Sequence, residues 1–138
     1  MPLTAQEILT RYHNAILAKA PDQLADLYAE DGVHELPFIH SADGVLRGRE
    51  AIRARYRAVW SAPIDVRRIV NVKLHPTMDP EVAVAEQDIE LTNRANGKDF
   101  VVATVLVMRI RDDKIAHMRD YTDSLTIATE LGRIPLQG

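Results

Sequence analysis

From Thr4 to Ile16 the apolar residues recur at helical spacing. Ile8, Leu9, Tyr12, Ala15 and Ile16 fall on one stripe, Thr4 is placed to cap the start, and Ala20-Pro21 marks the end. A second helix is predicted from about Pro21 through Leu24 and Leu27 to Tyr28, with Pro21 suited to a first turn and Asp31-Gly32 acting as a stop. Val33 to Pro37 reads as a short extended piece, followed by an irregular loop through His40, Asp43 and Gly44. A third helix is predicted over Arg49 to Ser61, with Ile52, Tyr56 and Val59 on its inward stripe and Arg49, Arg53 and Arg57 on the wetter side. Beyond Pro63 the period changes from helical to extended. Four strand-like runs near 64–75, 82–93, 99–110 and 114–123 are separated by Pro76-Thr77-Met78-Asp79-Pro80, Ala95-Asn96-Gly97 and Arg111-Asp112-Asp113. Ser124 opens a last short helix and Gly132 stops it. Helices first and a meander afterwards predict an α+β fold, with N-terminal helices packed on one face of a curved antiparallel sheet.

Strand alternation then sorts the side chains. In the last run Met118, Asp120 and Thr122 share one face, while His117, Arg119, Tyr121 and Asp123 share the other. With three-residue bulged turns at 95–97 and 111–113, Asp88 faces Thr104 and Thr104 faces Asp120; a first hairpin centred on Met78 sets Arg68 beside Asp88. This gives a cross-strand row of Arg68, Asp88, Thr104 and Asp120, flanked by Val70, Glu86, Leu106 and Met118. A two-residue Asn96-Gly97 turn instead flips the later strands relative to Asp88. In the same run, Ala83, Ala85, Ile89 and Leu91 compete with Asp88 for the inward face.

Composition narrows the class. The chain has 138 residues, 46% hydrophobic and 27% charged, which is enough for one domain spanning 1–138 with its own core. A net charge of -3 gives no general attraction to nucleic acid or to anionic membranes, and the basic cluster from Arg47 to Arg57 reads as a solvated helix face. The absence of cysteine excludes disulfide frameworks, thiol nucleophiles and thiolate metal sites. No signal pattern opens the chain and no apolar run approaches the ~20 residues that span a bilayer, so a soluble, cytoplasmic protein is expected.

An unpaired carboxylate among apolar neighbours is costly and responds by a raised pKa, which is also what a general acid or base needs near neutral pH. Asp120 is therefore the leading catalytic candidate; the competing reading is a structural bond to a helix residue such as His13. Asp88 is the second catalytic candidate. Tyr12, Glu35, Tyr56, Trp60, Arg68, Thr104, Leu106 and Met118 complete the expected substrate contacts. His13, His34, His40, His75 and His117 lack paired ligand spacing, so no metal site is expected. Val101, Ala103, Val105 and Val107 make the other sheet face too apolar to stay wet, and a homodimer through that face is expected.

The element order, the Gly48-Arg49-Glu50-Ala51-Ile52 helix start and the Arg119-Asp120-Tyr121-Thr122-Asp123 strand together resemble the nuclear transport factor 2-like (SnoaL-like) superfamily over nearly the whole chain. The resemblance implies a cone-shaped α+β barrel. The final strand is most similar to that of the limonene-epoxide hydrolases, with polyketide cyclases and ketosteroid isomerases as relatives. In the epoxide hydrolases the aspartate of the Arg-Asp-Tyr string acts as a base on water, and it falls on Asp120. A second aspartate that protonates the epoxide falls on Asp88. Glu86 stands where those enzymes have a bridging arginine, and Val33 and Glu35 stand where they have a tyrosine and an asparagine. The first-helix tyrosine of the ketosteroid isomerases matches Tyr12, but their base falls on Leu36 and their acidic oxyanion partner at about Leu106, which excludes dienone isomerisation by that constellation.

The sequence therefore predicts a cofactor-independent enzyme on a small apolar molecule, acting by epoxide opening, cyclisation or isomerisation. In it Asp120 is the base, Asp88 the acid and Arg68 the charge balance. The competing class is a non-catalytic ligand carrier or assembly module of the same fold.

Overall fold

A computed structural model describes residues 2–133. Helix α1 spans Ala5–Leu17, α2 Pro21–Ala25 and α3 Arg49–Val59; the strands are β1 Tyr28–Glu35, β2 Val45–Arg47, β3 Ile64–Pro76, β4 Val82–Asn93, β5 Lys98–Arg111 and β6 Lys114–Thr122; α4 spans Ser124–Glu130. Thr4 and Glu7 form a reciprocal capping box at the start of α1, as the sequence predicts for Thr4.

The six strands form one sheet in the order β2-β1-β6-β5-β4-β3. The predicted meander is present as β3 to β6, all antiparallel, but β1 joins β6 in parallel, so the sheet is mixed. The predicted second helix is correspondingly short. It ends at Ala25, and the chain is already extended at Tyr28, where Ile115 donates its N–H to the Leu27 carbonyl. That long-range pairing overrides the local helical spacing of Leu24, Leu27 and Tyr28.

The helices cover one face of the sheet. Ile8, Leu9, Tyr12 and Ala15 of α1, Leu24 of α2 and Ile52 of α3 pack with Ala83, Ala85, Leu106, Met108, Ile115 and Met118 in one core. Leu91, Phe100 and Val102 form a second, smaller cluster at the far end of the same face, where Ile127 of α4 rests on them. No helix among the described residues is long and apolar enough to cross a membrane.

The registers differ from those expected, and the turns explain why. Asn93 takes the Ala95 N–H on its side chain and the Gly97 N–H on its carbonyl, which releases Arg94 from the ladder and pairs Asn93, not Arg94, with Lys98. A one-residue slip exchanges the two faces of a strand. Ala83, Ala85, Gln87, Ile89 and Leu91 therefore turn toward the helices, and Asp88, paired with Ala103, turns away. The turn after β5 has two residues, Asp112 and Asp113, both with positive φ of 53° and 63°, the geometry that suits a tight hairpin. A bulge near Arg109 shifts the register by one residue more in the same sense, so Asp120 keeps its expected face but lies opposite Leu106, while Thr104 lies opposite Thr122.

Candidate functional site

Alternation along β6 carries Met118, Asp120 and Thr122 to the helix-covered face. The parallel pairing sets His34 of β1 beside Met118, so its ring enters the same interior. From the helices, Tyr12 of α1 and Tyr56 of α3 descend on it, and Tyr28 joins from the start of β1. The result is a closed polar cluster in an apolar core, with His34 fully buried and Asp120 only 7% exposed.

The contacts define its proton arrangement. His34 Nε2 lies 3.2 Å from Asp120 Oδ2 and 3.3 Å from the Tyr56 hydroxyl, while His34 Nδ1 lies 2.6 Å from the Tyr28 hydroxyl. Thr122 donates its hydroxyl to Asp120 Oδ1 and lies 3.3 Å from the Thr104 hydroxyl. A carboxylate accepts only, so a neutral His34 gives its Nε2–H to Asp120 and receives the Tyr28 proton at Nδ1. The Tyr12 hydroxyl adjoins those of Tyr28 and Tyr56. All three phenols are held well above the ordinary tyrosine pKa, first by burial, next by a neighbouring phenol and then by the Asp120 charge. They are donors at neutral pH. The aromatic wall continues outward: His34 meets Tyr56 edge-on at 5.7 Å, and Tyr56 meets Trp60 at 5.0 Å.

A second polar pair lies on the same face. His13 of α1 places Nε2 2.5 Å from Oε1 of Gln87, which is 3% exposed. Burial lowers the His13 pKa, partly offset by that hydrogen bond.

Of the residues singled out in the sequence, Tyr12, Tyr56, Thr104, Leu106, Met118 and Asp120 come together inside, with Trp60 at the edge. Three do not. Asp88 is on the opposite face and accepts from Asn71 Nδ2 at 2.8 Å. Arg68 is also outside, paired through two nitrogens with Glu90 rather than with Asp88, because the first hairpin closes with Pro76 opposite Ala83 and not about Met78, a shift that the bulge between Val70 and Lys73 only partly offsets. Glu35 lies on the outer face of β1, 2.6 Å from His117 Nε2. His34 and Gln87 are the residues that sequence reasoning missed. Their only local signal was alternation, one residue away from Glu35 and Asp88 respectively, and choosing the phase required the long-range register.

An open cavity of about 860 Å³ is a trough bordered by Phe38, Tyr121, Val105, Asp88 and Leu125, with Gln87 and Thr104 also in its lining. Among the described residues no group of three or more histidines and carboxylates is arranged to hold a metal ion.

Residues 9–118 match the SnoaL-like domain family. Among solved structures, a provisionally assigned isomerase from Bacillus subtilis is 22% identical, with 96% of each chain covered and a TM-score of 0.86. A provisionally assigned polyketide cyclase from Pseudomonas putida is 20% identical over 86% of this chain and 91% of that one, with a TM-score of 0.72. An epoxide hydrolase/cyclase-like enzyme of pyran-ring formation in the polyether salinomycin is 20% identical over 87% and 91% of the two chains, with a TM-score of 0.70. At these identities the likeness establishes the fold. No curated protein matches the chain.

Proposed function

The chain belongs to the SnoaL-like domain family, and on that premise we propose that it is a cofactor-independent general acid/base enzyme that isomerises or cyclises a small, largely apolar organic molecule. Asp120 is the base, and His34 orients it and stabilises its charge. The observation that carries this reading is the buried Asp120–His34 pair within a cluster of three protonated tyrosines. Such a cluster supplies an acceptor for a substrate proton and donors for developing negative charge, in a water-poor setting where both act strongly. Tyr12, Tyr56, Trp60, Thr104, Leu106 and Met118 are the surrounding contacts. Epoxide opening is the less favoured chemistry, because it calls for a second acid beside the base, and Asp88 faces the other way.

The test is product formation from a panel of cyclisable ketones and small epoxides with wild type and Asp120→Asn. Conversion of a ketone by wild type, reduced ~10²–10⁴-fold in the variant, is expected for loss of a general base. Wild-type turnover by Asp120→Asn removes Asp120 from that role.

One observation favours the second reading, a non-catalytic ligand carrier or assembly module: Asp120 is not among the residues that line the open trough. A carrier binds stoichiometrically, forms no product and keeps its affinity in Asp120→Asn. The outer face of the sheet supports a homodimer in either reading. Val101 and Val105 of β5 are exposed there, with Glu86 and Asp88 of β4 on one side and His117 and Arg119 of β6 on the other. A twofold axis through β5 sets the carboxylates of each copy over Arg119 of the other.

A further inference from the structure

Asp88, turned outward by the register of β4, carries a carboxylate that the fold does not use up. Its Oδ2 accepts from Asn71 Nδ2 at 2.8 Å, while its Oδ1 has no hydrogen bond and no ion pair among the described residues. Asn71 stands at the bulge between Val70 and Lys73 with a φ of 55°, a backbone state that asparagine tolerates, and its amide is thereby turned onto the carboxylate. Asp88 is held in place by a neutral group.

The open trough beside Asp88 is short of positive charge. It holds two further carboxylates, and both are committed: Glu86 lies 2.6 Å from His75 Nε2, and Asp123 caps α4 with both oxygens on Thr126. Against the three acids the described lining sets Lys73, His40 and no arginine. Across β5, where Ala103 and Val105 line the trough, Phe38 is 57% exposed and Leu125 65%. Phe38 is braced edge-on against Tyr121 at 5.8 Å, and the Arg119 guanidinium lies 5.3 Å over that tyrosine ring. Large apolar side chains fixed in the open beside an unused carboxylate oxygen are features of a binding site rather than of a core.

We propose that the trough is a ligand site, separate from Asp120, for an organic ammonium ion: a protonated amine carried on an apolar aryl or alkyl body. The ammonium donates to Asp88 Oδ1, and the body lies over Ala103 and Val105 against Phe38 and Leu125. Adjacent strands lie ~4.8 Å apart, so β4 and β6 stand roughly 10 Å apart, and the ligand needs about that span from its charge to the far end of its body. The cavity of about 860 Å³ is within the ~300–1,000 Å³ usual for small-molecule sites. Charge decides between ligands of one shape. An anion meets three carboxylates, and a neutral body strips water from Asp88 without replacing its hydrogen bonds. The inference does not rest on the role of Asp120, which does not line the trough.

The probe is 4-phenylbutylamine, with 4-phenylbutanol as the uncharged molecule of the same shape. Binding is followed by thermophoresis at nanomolar protein, which keeps the second copy assigned to this face from competing for the same carboxylates. Saturable binding of the amine is expected, at least tenfold tighter than that of the alcohol. Asp88→Asn keeps the side-chain shape and is expected to weaken the amine about tenfold, the loss of one charge-assisted hydrogen bond, while leaving the alcohol unchanged. Its melting temperature, expected to match wild type, controls for folding. Asn71→Gly, which allows the same backbone state but releases the carboxylate, falls between wild type and Asp88→Asn for the amine. Phe38→Ala weakens amine and alcohol together. No saturable amine binding up to millimolar concentration, equal affinity for amine and alcohol, or amine affinity untouched by Asp88→Asn overturns the proposal.

Discussion

His34 presents Nε2 to Asp120 at 3.2 Å inside an interior that closes both side chains off from solvent. The sequence-level alternative for Asp120 was a bond to a helix residue such as His13; the partner is instead a strand histidine brought in by the parallel β1–β6 pairing. Asp120→Asn preserves the shape and an acceptor oxygen for one of the two donors, so its stability is expected within about 1 kcal/mol of wild type. His34→Phe strips a donor from a buried carboxylate and takes the Nδ1 acceptor away from the Tyr28 hydroxyl, at a cost of ~1–3 kcal/mol. Urea titrations of the two single variants and the double variant measure this coupling. The double variant is expected to be less destabilised than the sum of the singles, and strict additivity contradicts a direct interaction.

Tyr28 sits on the far side of the imidazole and decides which nitrogen carries the proton. With its hydroxyl 2.6 Å from Nδ1, it donates there and leaves Nε2–H for Asp120. Nitrogen-15 spectra are expected to show the Nε2–H tautomer of His34 in wild type and a mixed population in Tyr28→Phe. An unchanged tautomer in the variant would show that Asp120 alone sets it.

How far the sequence carried this arrangement depends on range. The capped first helix, the switch from helical to extended period at Pro63 and the inward face of β6 are local signals, each readable from a few neighbouring residues. The interior of β4 was not readable in that way. Glu86, Asp88 and Glu90 alternate with Ala85, Gln87 and Ile89, and either set satisfies a half-buried strand. The choice fell to the Asn93 side chain, whose acceptance of the Ala95 N–H shifts the hairpin by one residue. His34 was hidden for a different reason, since parallel partners some 80 residues apart leave no local trace.

Asp88 supplies a direct check on that register. Its carboxylate accepts from Asn71 on the outer face, beside the strand that holds Gln87 inward. Asp88→Ala is therefore expected to keep stability within about 0.5 kcal/mol of wild type, the usual range for surface changes. Gln87→Met, its sequence neighbour, takes the acceptor from the His13 ring and is expected to cost ~1–3 kcal/mol. Urea titrations of the two variants side by side distinguish the faces; the reverse order would place β4 one residue out of register.

The lowered pKa of His13 gives the fold a pH signature. Burial is the main cause, so the folded state resists protonation while the unfolded chain takes up a proton near the ordinary value of 6.5. The neutral ring's contribution is complete above about 6.5, erodes as pH falls because the unfolded state binds more protons, and is gone below the folded pKa. His13→Gln keeps a polar partner for Gln87 but does not titrate. Melting temperatures from pH 7.5 to 5 are expected to fall more steeply for wild type than for His13→Gln. Parallel curves would remove His13 from the acid response.

The outer face exposes an apolar stripe opposite the site. Val101 is 55% exposed and Val105 36%, on a strand flanked by Glu86 and Asp88 on one side and, on the other, by Arg119 beside the His117–Glu35 pair. An apolar stripe of this kind favours association, and the opposed flanks select an arrangement in which each copy's β4 faces the other's β6. Light scattering is expected to give twice the chain mass for wild type and a single chain for Val105→Glu, which puts a charge in the stripe. Arg119→Glu is expected to weaken the dimer by setting like charges against each other, and adding Glu86→Arg to restore it. Dimers that resist Val105→Glu would assign the contact to another surface; weakening by Arg119→Glu without rescue by Glu86→Arg would leave the stripe in place but reject the pairing of β4 with β6.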